Sequence, residues 1–326
     1  MRVSVLDLFC GAGGFSLGCE RAGCDVLAGV DNDDRALETY SVNFDHPAYE
    51  YDLSETDPAT FASETGIQRG DVDMIVGGPP CQGFSEANLE RTKGDERNEL
   101  VFRYQEYVEY YQPCWFAMEN VPGITSIDDG VLLNQLCENF ERAGYNVAYD
   151  VCDAAQYGVA QHRERTFVIG TRSDAGEVPQ FPTPTHGSGE MGRKEMLSVV
   201  DVLDDLPALQ AGECGDSNAH NARNHRQSTV ESYRNTEPGN VPHSGYSPRV
   251  LHPEQPSWTI TASDGKTPIH YEQPRMLSPR EIARLQSFPD SFEIPLESRA
   301  DKCFVIANAV PVDLAECVVS ALCESV

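Results

Sequence analysis

The first 172 residues alternate between short apolar runs and longer amphipathic stretches. The apolar runs are bounded by Gly, Pro or acidic residues, which is typical of buried strands. The predicted strands are 3–9, 26–31, 49–53, 72–76, 115–118, 145–151 and 165–171. The predicted helices are 33–43, 97–110 and 131–143, with two more at 278–286 and 311–322. Strands that alternate with helices predict an α/β fold built on a doubly wound parallel sheet.

The pattern changes after Arg172. Residues 173–274 are rich in Pro, Gly, Ser, Asn and His, and only brief stretches such as 196–206 are periodic. Apolar residues still recur, so we expect a folded, loop-rich second domain rather than a disordered insert. The pattern predicts a first domain of 1–172 that is completed by 303–326, a smaller second domain of 173–274, and a connecting segment of 275–302.

One strand leads into an unusual turn. After the apolar run 72–76, the glycine and proline pairs of GGPP turn the chain sharply and present Cys81. Open α/β sheets place their chemistry at the carboxyl ends of strands. Cys81 is therefore a candidate nucleophile, although a buried core thiol is the alternative at such a position.

The first strand is followed by a glycine-rich turn, GAGGFS at 11–16, and the second ends in Asp31. This arrangement is typical of a nucleotide site, in which the acid binds ribose hydroxyls. Ser16 stands where the dinucleotide fingerprint has its third glycine, which favours an adenosine ligand without a pyrophosphate. S-adenosyl-methionine (AdoMet) fits, with its adenine near Phe9 and Asp52.

An acid and two arginines follow the cysteine turn in the chain. Glu119 ends the predicted strand 115–118, and QHRER at 161–165 opens a neighbouring one, which places Arg163 and Arg165 on one face. Taken singly, these are a helix-capping acid and surface charges. Together with Cys81 they predict a nucleophile, an acid and an electrophilic clamp.

The ordered motifs DLFCGAGGFSLG, GGPPCQGFS, MENV, QYGVAQHRER, RMLSPREIARLQSFPD and ANAVP resemble those of the DNA (cytosine-5) methyltransferases. The resemblance covers both ends and most of the first half of the chain, and leaves about 172–245 poorly matched. Ala307 and Val305 depart from the last motif, where the family commonly has Gly and Gln. The resemblance implies an AdoMet-dependent methyltransferase sheet. It makes 1–172 and 303–326 the catalytic AdoMet-binding domain, 173–274 the target-recognition domain and 275–302 the hinge segment.

The resemblance also implies residue roles. Cys81 adds to carbon 6 of a flipped-out cytosine, Glu119 hydrogen-bonds the base, Arg165 with Arg163 holds its carbonyl, and Asn120 braces the cysteine loop. Carbon 5 then receives the methyl group of AdoMet. The implied cofactor-binding residues are Phe9, Gly11, Gly13, Gly14, Asp31, Asn32, Asp52, Pro80, Leu100, Asn308 and Val310.

The net charge of the 326-residue chain is −28, and only four of its 24 basic residues are lysines. Such an acidic, lysine-poor composition predicts adaptation to a salt-rich cytoplasm. Residues 217–299 are an exception, with nine basic and nine acidic residues. We expect this segment to contact double-stranded DNA, and the implied DNA-binding residues are Gln82, Ser85, Arg223, Arg226, Arg249 and Arg275.

The remaining expectations concern compartment and partners. The 11 cysteines include no CxxC pair, which favours reduced thiols and no metal site. We expect a cytoplasmic monomer with no membrane span, and a cognate restriction endonuclease is left open as a partner. The rival hypotheses are an RNA (tRNA) cytosine-5 methyltransferase, an NAD-dependent oxidoreductase and a non-catalytic DNA-binding relative.

Overall fold

The computed structural model describes residues 2–80, 99–187, 189, 191–242, 248–261 and 266–324. Its strands are β1 (Ser4–Leu8), β2 (Asp25–Asp31), β3 (Ala48–Glu50), β4 (Met74–Gly77), β5 (Trp115–Asn120), β6 (Tyr145–Asp153) and β7 (Glu164–Arg172). In these residues the strands form one sheet with the order β3-β2-β1-β4-β5-β7-β6. The predicted α/β class is confirmed, and each predicted strand is present with small changes at its ends.

The sheet is mixed rather than parallel. β1 to β5 are mutually parallel, but β7 is inserted between β5 and β6 and is antiparallel to both. The prediction of an all-parallel sheet was wrong because the connection from β6 to β7 is a short turn with one 3₁₀ helix, Ala154–Tyr157, and not a crossover helix. A short connection returns the chain antiparallel to the strand that it has just left.

The helices that follow the strands are α1 (Gly14–Arg21), α2 (Asp34–Asn43), α3 (Pro58–Thr65), α4 (Glu99–Tyr111) and α5 (Val131–Arg142). Further along the chain are α6 (Val199–Leu203), α7 (Gln227–Arg234), α8 (Pro279–Leu285), α9 (Arg299–Asn308) and α10 (Val312–Cys323). Helix α7 was not predicted, and neither were α3 and α9, for which the sequence does carry a signal. Their signals were N-caps: Asp57 accepts hydrogen bonds from the first turn of α3, and Ser298 does the same for α9.

Helices cover both faces of the sheet. On one face Phe61, Tyr104 and Phe140 of α3, α4 and α5 pack against the strands. On the other face α1 and α10 supply Phe15 and Val318 to a second core. β4 is consequently buried over its whole length, and its carboxyl end delivers the turn that precedes Cys81 to the edge of the sheet.

Residues 173–274 are folded around short elements and isolated bridges. Tyr233, Val250, Ile269 and Met276 form a small cluster of their own. A larger core connects this part of the chain to the sheet, because Val199, Leu251 and Ile260 share it with helices α2, α8 and α9. Residues 173–274 are therefore packed directly on the helices beside the glycine-rich turn.

One stretch of the described chain, Arg299–Cys323, is long and apolar enough to cross a membrane by length and composition, with a mean hydropathy of 1.7. The expectation of no membrane span did not take this stretch into account. The stretch consists of α9 and α10, which are separated at 309–311, and 67% of its apolar window is buried inside the protein. Both properties are those of core helices.

Candidate active site

The antiparallel direction of β7 creates the site. Because β7 runs against β5, Glu119 lies opposite Phe167 and Asn120 lies opposite Thr166. The amino end of β7 is thereby brought to the carboxyl end of β5, and Arg165 lies beside the last residues of that strand. A parallel β7 would have placed its first residues at the opposite edge of the sheet.

Glu119 and Arg165 form an ion pair at this edge. Nε of Arg165 is 2.6 Å from Oε1 of Glu119. The Arg165 side chain is 12% exposed and the Glu119 side chain is 13% exposed. The other carboxylate oxygen lies over the turn after β4, since a Cβ added at Gly78 would be 3.3 Å from Oε2. The pair offers a carboxyl group and a guanidinium in a largely desolvated position, where their interactions are stronger than in water.

Asn120 holds the turn that precedes Cys81. Its side chain is buried, and its Nδ2 donates a hydrogen bond to the Pro79 carbonyl at 3.0 Å. Its Oδ1 accepts from the Val121 N–H at 2.9 Å. Cys81 itself lies outside the described residues, as do Gln82 and Ser85.

Arg163 is fully enclosed, and its described hydrogen bonds connect separate parts of the chain. Nη1 donates to the carbonyl of Ile260 at 3.1 Å, and Nη2 donates to that of Ala309 at 3.4 Å. Nε has no hydrogen-bond partner among the described residues. Burial, together with the charge of nearby Arg165, lowers the pKa of Arg163 well below its ordinary value.

At the end of β2 the Asp31 carboxylate accepts hydrogen bonds from backbone amides. One oxygen accepts from the Gly11 N–H at 2.8 Å, and the other accepts from the N–H groups of Asn32 and Asp33 at 2.8 and 3.0 Å. Burial raises the pKa of Asp31. The carboxylate therefore fixes the glycine-rich turn, and its remaining acceptor capacity is available to a ribose hydroxyl.

The glycine-rich turn also lies against the segment that follows α9. A Cβ added at Gly14 would be 2.1 Å from the carbonyl oxygen of Val310. Gly13 has a positive φ of 92°, and a Cβ there would be 2.3 Å from the ring of Phe44. Two of the predicted cofactor residues, Gly14 and Val310, are thus in direct contact although they are far apart in the sequence.

The other cofactor candidates lie at several points along the carboxyl edge of the sheet. The Ser54 hydroxyl donates to Asp52 at 2.6 Å, and this bond is the main cause of the lowered pKa of Asp52, to which Asn32 also contributes. Phe9 follows β1 with a left-handed φ of 56°. The remaining three are half-buried Pro80 and Leu100 and exposed Asn308.

Sequence reasoning missed a buried polar group beneath this turn. Asp7 is fully buried in β1, and Ser16 of α1 donates to its Oδ2 at 2.6 Å. The Ser16 hydroxyl is also 2.6 Å from that of Tyr40 on α2. Burial raises the pKa of Asp7 to about 7. A carboxyl residue inside an otherwise apolar strand was the signal in the sequence.

The arginine candidates for DNA contact differ in their positions. Arg226 and Arg249 are exposed and Arg223 is half-buried. Arg275 was predicted to contact DNA, and this prediction was wrong for the protein as it stands. Its side chain is 0% exposed and forms a bidentate pair with Glu281, at 2.7 and 2.8 Å.

Two further arginines of the neutral segment are also engaged inside the protein. The Arg280 guanidinium donates to the backbone carbonyls of Asn218, Pro289 and Phe292. Arg284 is bound by Asp205 and Asp290. Part of the basic charge of 217–299 therefore serves internal structure rather than DNA contact.

The mixed seven-stranded sheet with helices on both faces has the α/β fold of the AdoMet-dependent methyltransferases. The family model of the C-5 cytosine-specific DNA methylases matches residues 3–324. The chain belongs to this family and is a DNA (cytosine-5) methyltransferase.

Individual relatives agree with this assignment. The chain is 38% identical to the Type II methyltransferase M1.HphI of Haemophilus parahaemolyticus, over 99% of this chain and 87% of that protein. It is 33% identical to M.FnuDI of Fusobacterium nucleatum, over 99% and 95%. Among solved structures it is similar to an E. coli protein described as a DNA modification methyltransferase encoded within a prophage. That similarity has a TM-score of 0.83 at 26% identity and covers 99% of both chains.

Proposed function

We propose that this enzyme methylates carbon 5 of cytosine within a short duplex sequence, with AdoMet as methyl donor and Cys81 as nucleophile. The observation that carries the proposal is the 2.6 Å contact of Glu119 with Arg165, next to the turn that leads to Cys81. Asn120 supports it, because its bond to Pro79 fixes the chain two residues before that cysteine. The carboxyl group and the guanidinium lie together at the edge of the sheet, and we expect the Cys81 thiol to act there with them.

The chemistry follows from the weak nucleophilicity of carbon 5. The Cys81 thiolate bonds to carbon 6 while Glu119 provides a proton to ring nitrogen 3, which makes carbon 5 part of an enamine. Arg165 orients Glu119 and stabilises negative charge at the base carbonyl. After methyl transfer, which would leave the cofactor as a neutral thioether, carbon 5 loses its proton to water, ring nitrogen 3 returns its proton to Glu119 and the thiolate leaves, so that the aromatic ring is restored.

The residues at the cofactor edge fit AdoMet. The cofactor supplies an electrophilic methyl group on a sulfonium. Asp31 accepts from the ribose hydroxyls, while Phe9 and Asp52 flank the adenine. Gly14 fits this role because its missing side chain lets the turn lie against the Val310 carbonyl. The other proposed contacts are Gly11, Gly13, Asn32, Pro80, Leu100 and Asn308.

The target base has to leave the DNA stack, since carbon 6 is inaccessible within a duplex. Gln82 and Ser85 are the proposed contacts at the vacated position. Arg226 and Arg249 are exposed on the segment 173–274, which we propose as the target-recognition domain, with 275–302 as its hinge to the catalytic part. Arg223 is a third proposed contact.

The cellular setting is also part of the proposal. The two curated relatives above are named Type II methyltransferases, and we propose the same restriction-modification role here, with a cognate endonuclease as partner. The chain acts as a monomer in the cytoplasm. Its net charge of −28 suits a salt-rich interior, where repulsion between surface carboxylates is screened.

Bisulfite sequencing of DNA from cells that express the chain tests the proposal. We expect methylcytosine in one short motif, and we expect Cys81→Ser to abolish it. Cys137→Ser is the matched control, because Cys137 is a half-buried free thiol on α5. Normal methylation by Cys81→Ser would contradict the role of the thiol.

A second assay addresses the RNA alternative. Purified enzyme and labelled AdoMet are incubated with duplex DNA that contains the mapped motif and, separately, with tRNA. We expect transfer to DNA alone. Transfer to tRNA without transfer to DNA would favour the RNA-directed enzyme.

A further inference from the structure

Residues 257–260, which we call the strap, lie alongside residues 160–163, which precede β7 in the sequence. The Ser257 N–H donates to the Ala160 carbonyl at 2.9 Å, and the His162 N–H donates to the Ser257 carbonyl at 2.6 Å. The Thr259 hydroxyl donates to the His162 carbonyl at 2.9 Å. The strap belongs to the recognition segment, so these bonds attach that segment to the strand that carries Arg165.

The last residue of the strap is held at both polar groups of its backbone. The Ile260 N–H donates to Oε1 of Gln161 at 2.8 Å, and its carbonyl accepts from Nη1 of Arg163 at 3.1 Å. Gln161 is 0% exposed and Arg163 is 2% exposed. Hydrogen bonds in such a position are strong and cannot be replaced by water.

The amide of Gln161 extends the connection to α8. Its Nε2 donates to Oε1 of Gln286 at 3.0 Å and to the Leu285 carbonyl at 3.1 Å. Gln286 in turn donates to the carbonyl of Ile306, near the end of α9, at 3.0 Å. Arg163 reaches Ala309, the residue before Val310, which contacts the glycine-rich turn. The buried amides thus connect the strap, the catalytic strand and the cofactor edge.

The outer side of the strap faces the proposed DNA surface. The exposed guanidinium of Arg249 lies 5.7 Å from the ring centroid of Trp258, which is in the strap. A cation over an aromatic ring is attracted to it, so a displacement of Arg249 acts on Trp258. Arg249 and the Glu119–Arg165 pair are therefore at opposite ends of one continuous set of contacts.

We propose that Gln161, with Gln286, is a positioning residue that couples the recognition segment to the catalytic pair. The proposal rests on the function proposed above. Gln161 touches neither substrate nor cofactor. It fixes the strap to the residues before β7, and this attachment keeps Arg165 in its working geometry with Glu119. Loss of this coupling slows the chemical step while leaving the binding of DNA and AdoMet nearly intact.

The test is a single-turnover methylation assay with enzyme saturated in AdoMet and in duplex DNA that contains the mapped motif. Gln161→Met keeps the length of the side chain and removes all its hydrogen bonds. We expect the rate to fall by about 100-fold, as for a small misplacement of catalytic groups. The Kd values for DNA and for AdoMet are expected to stay within about 3-fold of wild type, which is less than the tenfold change that corresponds to about 1.4 kcal/mol. Because the two amides act as one unit, Gln161→Met combined with Gln286→Met is expected to be as slow as the single variant.

Gln105→Met is the matched control. Gln105 is a buried glutamine on α4 that bonds to Glu109 and Asn139, so the same change removes partly buried amide hydrogen bonds away from the strap. We expect its rate to equal that of wild type even where its Tm falls. If Gln161→Met does not fold, Gln286→Met takes its place with the same expected rate loss.

Two results overturn the coupling. One is a wild-type rate in folded Gln161→Met and Gln286→Met, and the other is a rate loss that only parallels lost DNA and AdoMet binding. Failure of the proposed function gives a different result, because wild-type enzyme would then form no 5-methylcytosine in the same assay, or Cys81→Ser would remain active.

Discussion

Arg275 and Glu281 form a bidentate ion pair that is sealed from solvent. Both Nη atoms of the arginine reach the carboxylate, at 2.7 and 2.8 Å, and the side chains are 0% and 2% exposed. Glu281 also caps α8 through the Ser278 N–H. The pair therefore joins the residues before α8 to its first turn.

Arg275→Met is expected to lower the free energy of unfolding by about 3–5 kcal/mol, because it leaves the carboxylate of Glu281 buried without its partner. Urea unfolding measures this change. In the double variant Arg275→Met with Glu281→Met much of the stability is expected to return, since both charges are gone. A variant with unchanged stability and weakened DNA binding would restore Arg275 as a DNA contact.

For Arg249 we expect the opposite result, with an effect on DNA binding and none on stability. It is exposed, so Arg249→Ala is expected to leave the free energy of unfolding nearly unchanged and to weaken DNA binding. If Arg249 contacts a phosphate, the slope of log Kd against log salt concentration falls by about 1. Arg103→Ala, on α4, is the control, because Arg103 is bound to Glu106 on its own helix. Equal Kd values for the Arg249→Ala variant and the wild-type protein at every salt concentration would exclude Arg249 from the interface.

These two arginines show what the sequence could and could not predict about the recognition segment. Composition identified 217–299 as neutral within an acidic chain. It could not separate arginines on the surface from those paired inside, because pairing depends on residues that only the fold brings together, such as Asp205 with Arg284. Only the folded structure distinguishes the surface arginines from the internally paired ones.

The catalytic edge was predicted more completely. The end of a strand could be read from the apolar run before Glu119, and alternation placed Arg163 and Arg165 on one face. Alternation has a period of two in either direction, however, so it did not indicate that β7 is antiparallel, and the only sign was the absence of a predicted helix between 151 and 165. That direction is the reason that Arg165 reaches Glu119.

Glu119→Gln is expected to keep AdoMet affinity within a few-fold and to lower turnover by about 10²–10⁴-fold, the range for loss of a general acid. The neutral amide still has an oxygen for Arg165 but cannot supply the proton to ring nitrogen 3. Steady-state methylation and an AdoMet titration measure the two effects. Glu138→Gln on α5 is the control, because Glu138 is exposed. Unchanged turnover would remove Glu119 from the mechanism.

Gly14→Ala tests the contact between the glycine-rich turn and Val310. The added methyl group would be 2.1 Å from a backbone oxygen, so the turn or the segment after α9 has to move. Overpacking of this kind costs about 1–3 kcal/mol. We expect weaker AdoMet binding and a lower Tm, measured by titration calorimetry and thermal unfolding. An unchanged AdoMet affinity in this variant would show that the Val310 carbonyl can move aside without disturbing the cofactor edge.

Asp7 gives the protein a predictable dependence of stability on pH. Oδ2 accepts from Ser16, whereas Oδ1 has no hydrogen-bond partner in the described part of the chain. Burial raises its pKa from the ordinary 3.8 to about 7. Between these values the folded protein holds a proton that the unfolded chain has released, so the contribution of Asp7 to stability falls as pH rises from about 4 to about 7.

Asp7→Asn isolates this effect from the other carboxylates. Relative to wild type, the variant is expected to gain stability steadily as pH rises from about 4 to about 7, and to gain no more above that. The total gain is at most about 4 kcal/mol, since each pKa unit corresponds to 1.36 kcal/mol. Urea unfolding of both proteins across the pH range gives the difference. A difference that stays constant from about pH 4 to about pH 8 would mean that Asp7 ionises in the folded protein near its ordinary pKa.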